Sequence, residues 1–140
     1  MKKMVCLIIM LMFPVSVCLA ADWVYVASGA DGSDVYVDLS SIKSDGTICR
    51  AWIKSVYKNL KETKDKKGVR NFMARNVSLF YIDMENKRIQ VTHVANYDKD
   101  ENLIVAVSGK LDEDRWKYVV PESVMDNVFD FIQEYVSVLE

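Results

Sequence analysis

Residues 48–57, Ile-Cys-Arg-Ala-Trp-Ile-Lys-Ser-Val-Tyr, alternate with a period of two. Successive side chains of a β-strand point to opposite faces, so such a stretch must lie on a sheet with two different sides. Cys49, Ala51, Ile53, Ser55 and Tyr57 form the smaller, more apolar set and predict the core face. Ile48, Arg50, Trp52, Lys54 and Val56 form the other. Further runs rich in β-branched and aromatic residues occur at 23–26, 35–38, 69–83, 88–97 and 103–108. Residues 69–83 are long enough to require a bend or bulge. In 88–97 the period puts Ile89, Val91, His93, Ala95 and Tyr97 together. Short polar turns join the runs at 31–34, 43–46, 84–87 and 98–102, and a charged loop at 109–115 precedes the extended residues 116–120. Strands joined this way favour an antiparallel meander. No helix-length pattern separates them, which argues against a parallel sheet.

The end of the chain has a different period. Val124, Val128, Ile132, Tyr135 and Leu139 are spaced for one face of a helix, and Met125, Phe129 and Val136 widen it. Asp126, Asp130, Gln133, Glu134 and Ser137 lie opposite, toward solvent. This predicts an amphipathic helix laid on the sheet, with Ser123 and Asp126 as a capping pair. The expected fold is α+β: an antiparallel meander of about six strands with a C-terminal α-helix packed on one face.

The beginning reads as a secretory signal. Two lysines precede an apolar run from Met4 to Val17, and small residues follow at Cys18 and Ala20. A membrane helix needs roughly 20 apolar residues, so cleavage after Ala20 is expected, with residues 21–140 as a single exported domain. A lipoprotein would be anchored through Cys18. The residue before such a Cys is normally small, and Val17 is larger, which favours simple cleavage. The expected location is the periplasm or the cell surface, with no integral span once the signal is removed. Cys49 is then the one remaining cysteine, expected to be a buried small hydrophobe, with a free thiol or a bond between chains as the alternatives.

Charge and motif content exclude several function classes. Without Lys2 and Lys3, 16 basic residues face 20 acidic ones, a balance that offers nothing to nucleic acid. The one histidine, His93, has no accompanying nucleophile motif. A zinc site would have to be completed by carboxylates. Residues 98–102 begin like a calcium loop, but Leu103 stands where the sixth-position glycine belongs. An Asx-rich turn fits them better. No phosphate-binding loop occurs, so no cofactor, metal or catalytic activity is expected. The most distinctive charge feature is the polar run 58–70, which breaks the strand period. Lys58, Lys61, Lys64, Lys66, Lys67 and Arg70 outnumber Glu62 and Asp65 there. A basic hairpin tip on an acidic body suits a polyanion or an acidic protein.

The chain resembles the surface-adhesin protein E family of Gram-negative exported proteins. The residues that carry the likeness are Trp23, the segment 36–42 (Tyr-Val-Asp-Leu-Ser-Ser-Ile), the segment 52–57 (Trp-Ile-Lys-Ser-Val-Tyr), Tyr81 with Asp83, Lys87 with Arg88, Tyr97 with Asp98, and the segment 116–123 (Trp-Lys-Tyr-Val-Val-Pro-Glu-Ser). The resemblance implies an antiparallel sheet with the terminal helix held against its concave face. It also implies a non-enzymatic, adhesin-like binding module whose partners are host matrix proteins. The family's namesake binds laminin, vitronectin and plasminogen. Relatives tie the helix by a disulfide; the corresponding places here hold Met84 and the Ile132–Gln133 pair. Two other functions fit the residues, a periplasmic accessory domain or a small-ligand pocket between sheet and helix.

Overall fold

In a computed structural model that describes residues 20–139, eight strands form one antiparallel sheet. The strands are β1 (Trp23–Ser28), β2 (Ser33–Asp38), β3 (Lys43–Asp45), β4 (Ile48–Lys64), β5 (Arg70–Asp83), β6 (Arg88–Tyr97), β7 (Leu103–Ser108) and β8 (Lys117–Tyr118). Helix α1 (Val124–Leu139) closes the chain. The order β1-β2-β4-β5-β6-β7 is the expected meander. Two short strands complete it, because β4 and β6 are longer than β2 and β7 and leave room for a second partner along the same edge. β4 pairs with β2 through residues 53–57 and with β3 through 48–50. β6 pairs with β7 through 93–97 and with β8 through 88–89. The expected signal segment 1–20, with Cys18, lies outside the described residues except for Ala20.

Several local expectations need correction, the first being that Lys43–Asp45, read as part of a turn, forms β3. Residues 58–70 do not interrupt the sheet. β4 runs to Lys64 and β5 begins at Arg70. The turn between them is tied by the Asp65 carboxylate, which accepts from the backbone N–H groups of Lys67 (2.8 Å) and Val69 (2.9 Å). Cross-strand pairing kept these polar residues extended, which composition alone does not reveal. The irregularity foreseen in β5 sits instead in its partners. Val56 and Lys61 of β4 pair with Arg75 and Met73, so surplus residues bulge out of β4. Phe80 pairs with Val91 but Leu79 pairs with His93, so Thr92 is the extra residue of β6. That bulge turns His93 to the face opposite Ile89 and Val91, because a one-residue slip inverts every later side chain.

The core lies between α1 and the face of the sheet built from the small apolar set. Val37, Cys49, Ala51, Ile53 and Ile82 are buried there beneath Val128, Phe129 and Ile132. Cys49 is a free, fully buried thiol whose pKa burial raises, so it packs as a hydrophobe. Met84 packs against the same cluster, and Ile132 is wholly buried. Dispersion and burial therefore hold the helix, with no disulfide among the described residues. The apolar stripe stops short of the helix end: Leu139, which the period put on it, is exposed, as is Val138.

Polar contacts set the helix angle. The Asp126 backbone N–H donates to Ser123 Oγ (3.2 Å), and the Asp126 carboxylate accepts from the Glu122 N–H (2.8 Å). Asp126 is not turned to solvent as its position opposite the stripe predicted. Lys87, from the β5–β6 turn, pairs with it at 2.6 Å and lies 5.0 Å from the Phe129 ring centroid. That turn is itself organised by Asp83. Its carboxylate accepts from Arg88 Nη2 (2.6 Å), Arg88 Nε (3.1 Å) and the Asn86 backbone N–H (2.9 Å).

Two outcomes follow. Replacing Phe129 or Ile132 by Ala should cost ~2–5 kcal/mol in denaturant unfolding, whereas a change below about 0.5 kcal/mol, typical of a surface site, would remove α1 from the core. The second concerns acid. Burial raises the Asp83 pKa, but the donors from Arg88 and Asn86 outweigh it and bring it down to about 2. A folded pKa below the ordinary value stabilises the protein above that ordinary value, and the effect fades as pH falls toward 2. The stability gap between the wild type and Asp83→Asn should therefore be about 2 kcal/mol near neutrality and mostly vanish at the acid end. Urea midpoints measured at both pH values check this; a gap independent of pH would show that the carboxylate contributes no charge effect.

Candidate binding surfaces

The β4–β5 hairpin projects beyond the bulge as an arm, and all six basic residues singled out above lie on it. The structure divides them. Lys58 pairs with Asp34 (3.6 Å), Arg70 with Glu62 (3.3 Å), and Lys61 with Asp31. Lys61 also lies 4.6 Å from the Tyr57 ring centroid. Its bond to Asp31 holds that carboxyl far below the usual range and raises the lysine's own pKa. Lys64, Lys66 and Lys67 are exposed and, among the described residues, have no carboxylate partner. The acids of the β1–β2 turn thus neutralise the root of the arm and leave its tip cationic. Leu60, Val69 and Phe72 are exposed beside these lysines.

The arm is not detached from the body. Asn96 Nδ2 donates to Thr63 Oγ1 (3.4 Å), and Met73 is buried. Asn96 also accepts from Asn76 Nδ2 (2.6 Å), whose own oxygen accepts from Ser78 Oγ (2.7 Å). This polar row continues the core face beyond the start of the helix. Beside it opens a groove of about 430 Å³ between the β1–β2 turn, the sheet and the start of α1, floored by Val35, Ile53 and Phe80. The turn has no room for a side chain at Gly29, where a Cβ would come within 2.7 Å of both Asp31 Oδ1 and Ser33 Oγ.

The other possible sites read from the sequence are local structure. Thr92 Oγ1 and His93 Nδ1 are hydrogen-bonded at 2.9 Å, and the His93 ring meets Trp52 edge to face. The Asp98 carboxylate accepts from the N–H groups of Asp100 (2.8 Å) and Asn102 (2.9 Å), an Asx-type turn. Hydrogen bonds from the Asn102 side-chain amide and from its backbone N–H lower the Asp98 pKa. Among the described residues no three His, Cys, Asp or Glu side chains come together as a metal site, and no helix is long and apolar enough to cross a membrane.

One surface escaped sequence reasoning. The sheet face without the helix gathers Trp23, Tyr25 and Tyr36 around Lys54, whose Nζ lies 4.5 Å from the Trp23 ring centroid and 4.9 Å from that of Tyr36. Tyr25 meets Tyr36 edge to face at 5.8 Å. Alternation put Lys54 and Trp52 off the core face, but the cross-strand register that assembles the cluster is not written in any one segment.

Comparison with known proteins places this architecture. No curated protein sequence matches the chain. Crystal form II of Haemophilus influenzae protein E superposes with a TM-score of 0.58 at 12% identity, covering 89% of this chain and 97% of that one. Another structure of Haemophilus influenzae protein E gives 0.56 at 9% identity, covering 88% and 92%. Protein E from non-typeable Haemophilus influenzae gives 0.53 at 13% identity, covering 89% and 82%. At such identities the likeness shows the fold. The sequence model for surface-adhesin protein E matches residues 23–132, most of the chain from β1 into α1. The chain belongs to the surface-adhesin protein E family.

Proposed function

We propose that the protein is an exported, non-enzymatic adhesin whose β4–β5 arm docks onto an acidic segment of an extracellular host protein. The observation that carries this reading is the unequal pairing of the arm's basic residues. Asp31, Asp34 and Glu62 hold Lys61, Lys58 and Arg70, while Lys64, Lys66 and Lys67 have no such partner among the described residues. A protein-contact patch needs apolar area as well as charge, and Leu60, Val69 and Phe72 supply it on the same arm. Membership of an adhesin family supports the same reading. The reading includes removal of residues 1–20 on export, without lipid attachment at Cys18.

The test is a Lys64→Ser, Lys66→Ser, Lys67→Ser triple variant against immobilised acidic matrix protein. Binding should fall roughly tenfold or more at low salt, and the remaining binding should lose most of its salt dependence. The melting temperature should not move, since these side chains make no packed contacts. Unchanged affinity would take the arm out of the interface. Intact-mass measurement of the exported protein should give a chain starting at Ala21; an acylated chain starting at Cys18 would replace simple cleavage with lipoprotein processing.

A further inference from the structure

The helix-free face of the sheet carries a second set of cations, distinct from the arm. Lys54 pairs across the sheet with Tyr36 of β2 and with Val77 of β5. Arg75, two residues from Val77, is its diagonal neighbour on the same face, a spacing of ~7–8 Å between backbones. The Arg75 guanidinium lies 4.0 Å from the Tyr97 ring centroid. Both cations are half-buried. Burial and the Arg75 charge lower the Lys54 pKa. Arg75 Nη2 donates to the Glu101 carboxylate, but its Nε is buried without an acceptor. Lys54 Nζ has ring faces for neighbours and no carboxylate within ion-pair distance among the described residues. Glu101, an exposed turn residue of left-handed backbone, therefore pairs with Arg75 and leaves Lys54 without a counter-ion among the described residues.

We infer that this patch binds an acidic saccharide, whose carboxylate accepts from Lys54 Nζ beside the Arg75 guanidinium while its ring packs against Trp23 and Tyr36. Each part of the patch matches part of such a ligand. Ring edges and faces on an open sheet suit the C–H face of a sugar. A half-desolvated Lys–Arg pair suits a carboxylate, because charge-assisted bonds strengthen where water is thinned. Glu101 already shows that a carboxylate is accepted there. An extended acidic peptide would satisfy the cations but leave the rings without a flat partner.

The experiment is a titration of the isotope-labelled mature protein, followed by two-dimensional nitrogen–proton NMR. The probes are an unsulfated chondroitin disaccharide, which carries one glucuronate, and lactose, which carries none. The acidic disaccharide should move the Trp23 indole and Arg75 Nε signals and leave the Trp116 indole still. Lactose should move neither. Lys54→Gln should weaken binding roughly tenfold, with an otherwise unchanged spectrum as the check on folding. Glu101→Gln should tighten it severalfold by removing the competing carboxylate, an effect that a purely structural ion pair would not produce. The arm triple variant should bind the disaccharide like wild type. Three results would overturn the assignment: no movement at about 10 mM disaccharide, well above millimolar affinity; equal movement with lactose; or an acidic glutamate peptide moving the same signals at lower concentration, which would give the patch to a peptide.

Discussion

Everything in this fold rests on one contact, the apolar stripe of the terminal helix against the small-residue face of the sheet. Cys49 and Ala51 are small enough for Val128, Phe129 and Ile132 to come close. Among the described residues no covalent tie assists them, since Cys49 is a buried free thiol. Each buried side chain of this size is worth about 1.5–3 kcal/mol, against which stands the entropy of ordering a 16-residue helix. The Lys87–Asp126 pair adds little energy for a partly exposed bridge. Its role is geometric: it fixes the helix start above the β5–β6 turn, which the Asp83–Arg88 pair has already shaped.

The family residues recognised in the sequence are, in the structure, mostly joints. Asp38 accepts from the N–H of Asp22 and the N–H and hydroxyl of Ser40, closing the turn after β2. Buried Asp83 pairs with the partly exposed Arg88, whose guanidinium reaches toward the Trp116 ring. Ser123 caps the helix. None of these points to a ligand. They preserve how the chain bends, which is why short motifs sufficed to recognise the fold while leaving the partner open.

The six longer strands and the core face were legible from alternation within each segment, and the strand order from the short turns between them; β3, read as part of a turn, was not. The Cys49–Ala51–Ile53 set needed no tertiary information. What depended on pairing was not legible. The bulge at Thr92 inverted His93, and the arm stayed extended despite its polarity because β4 and β5 register it from both sides. The basic residues were visible as a run, but their division into paired and unpaired came from Asp31 and Asp34, about 25–30 positions away in the chain. The Lys54 cluster was hidden for the same reason, since its members come from three strands.

The break in the β4–β5 ladder between Val56 and Lys61 has a consequence for how such a protein can change over time. Beyond it, register is set within the arm and no longer by the packed sheet. Residues lost or gained near the turn shift the tip without sliding Cys49, Ala51 or Ile53 out of place beneath the helix. The bulge thus acts as a buffer between the exposed turn and an interior that tolerates almost no displacement. A family that shares so little sequence can keep one scaffold under those conditions.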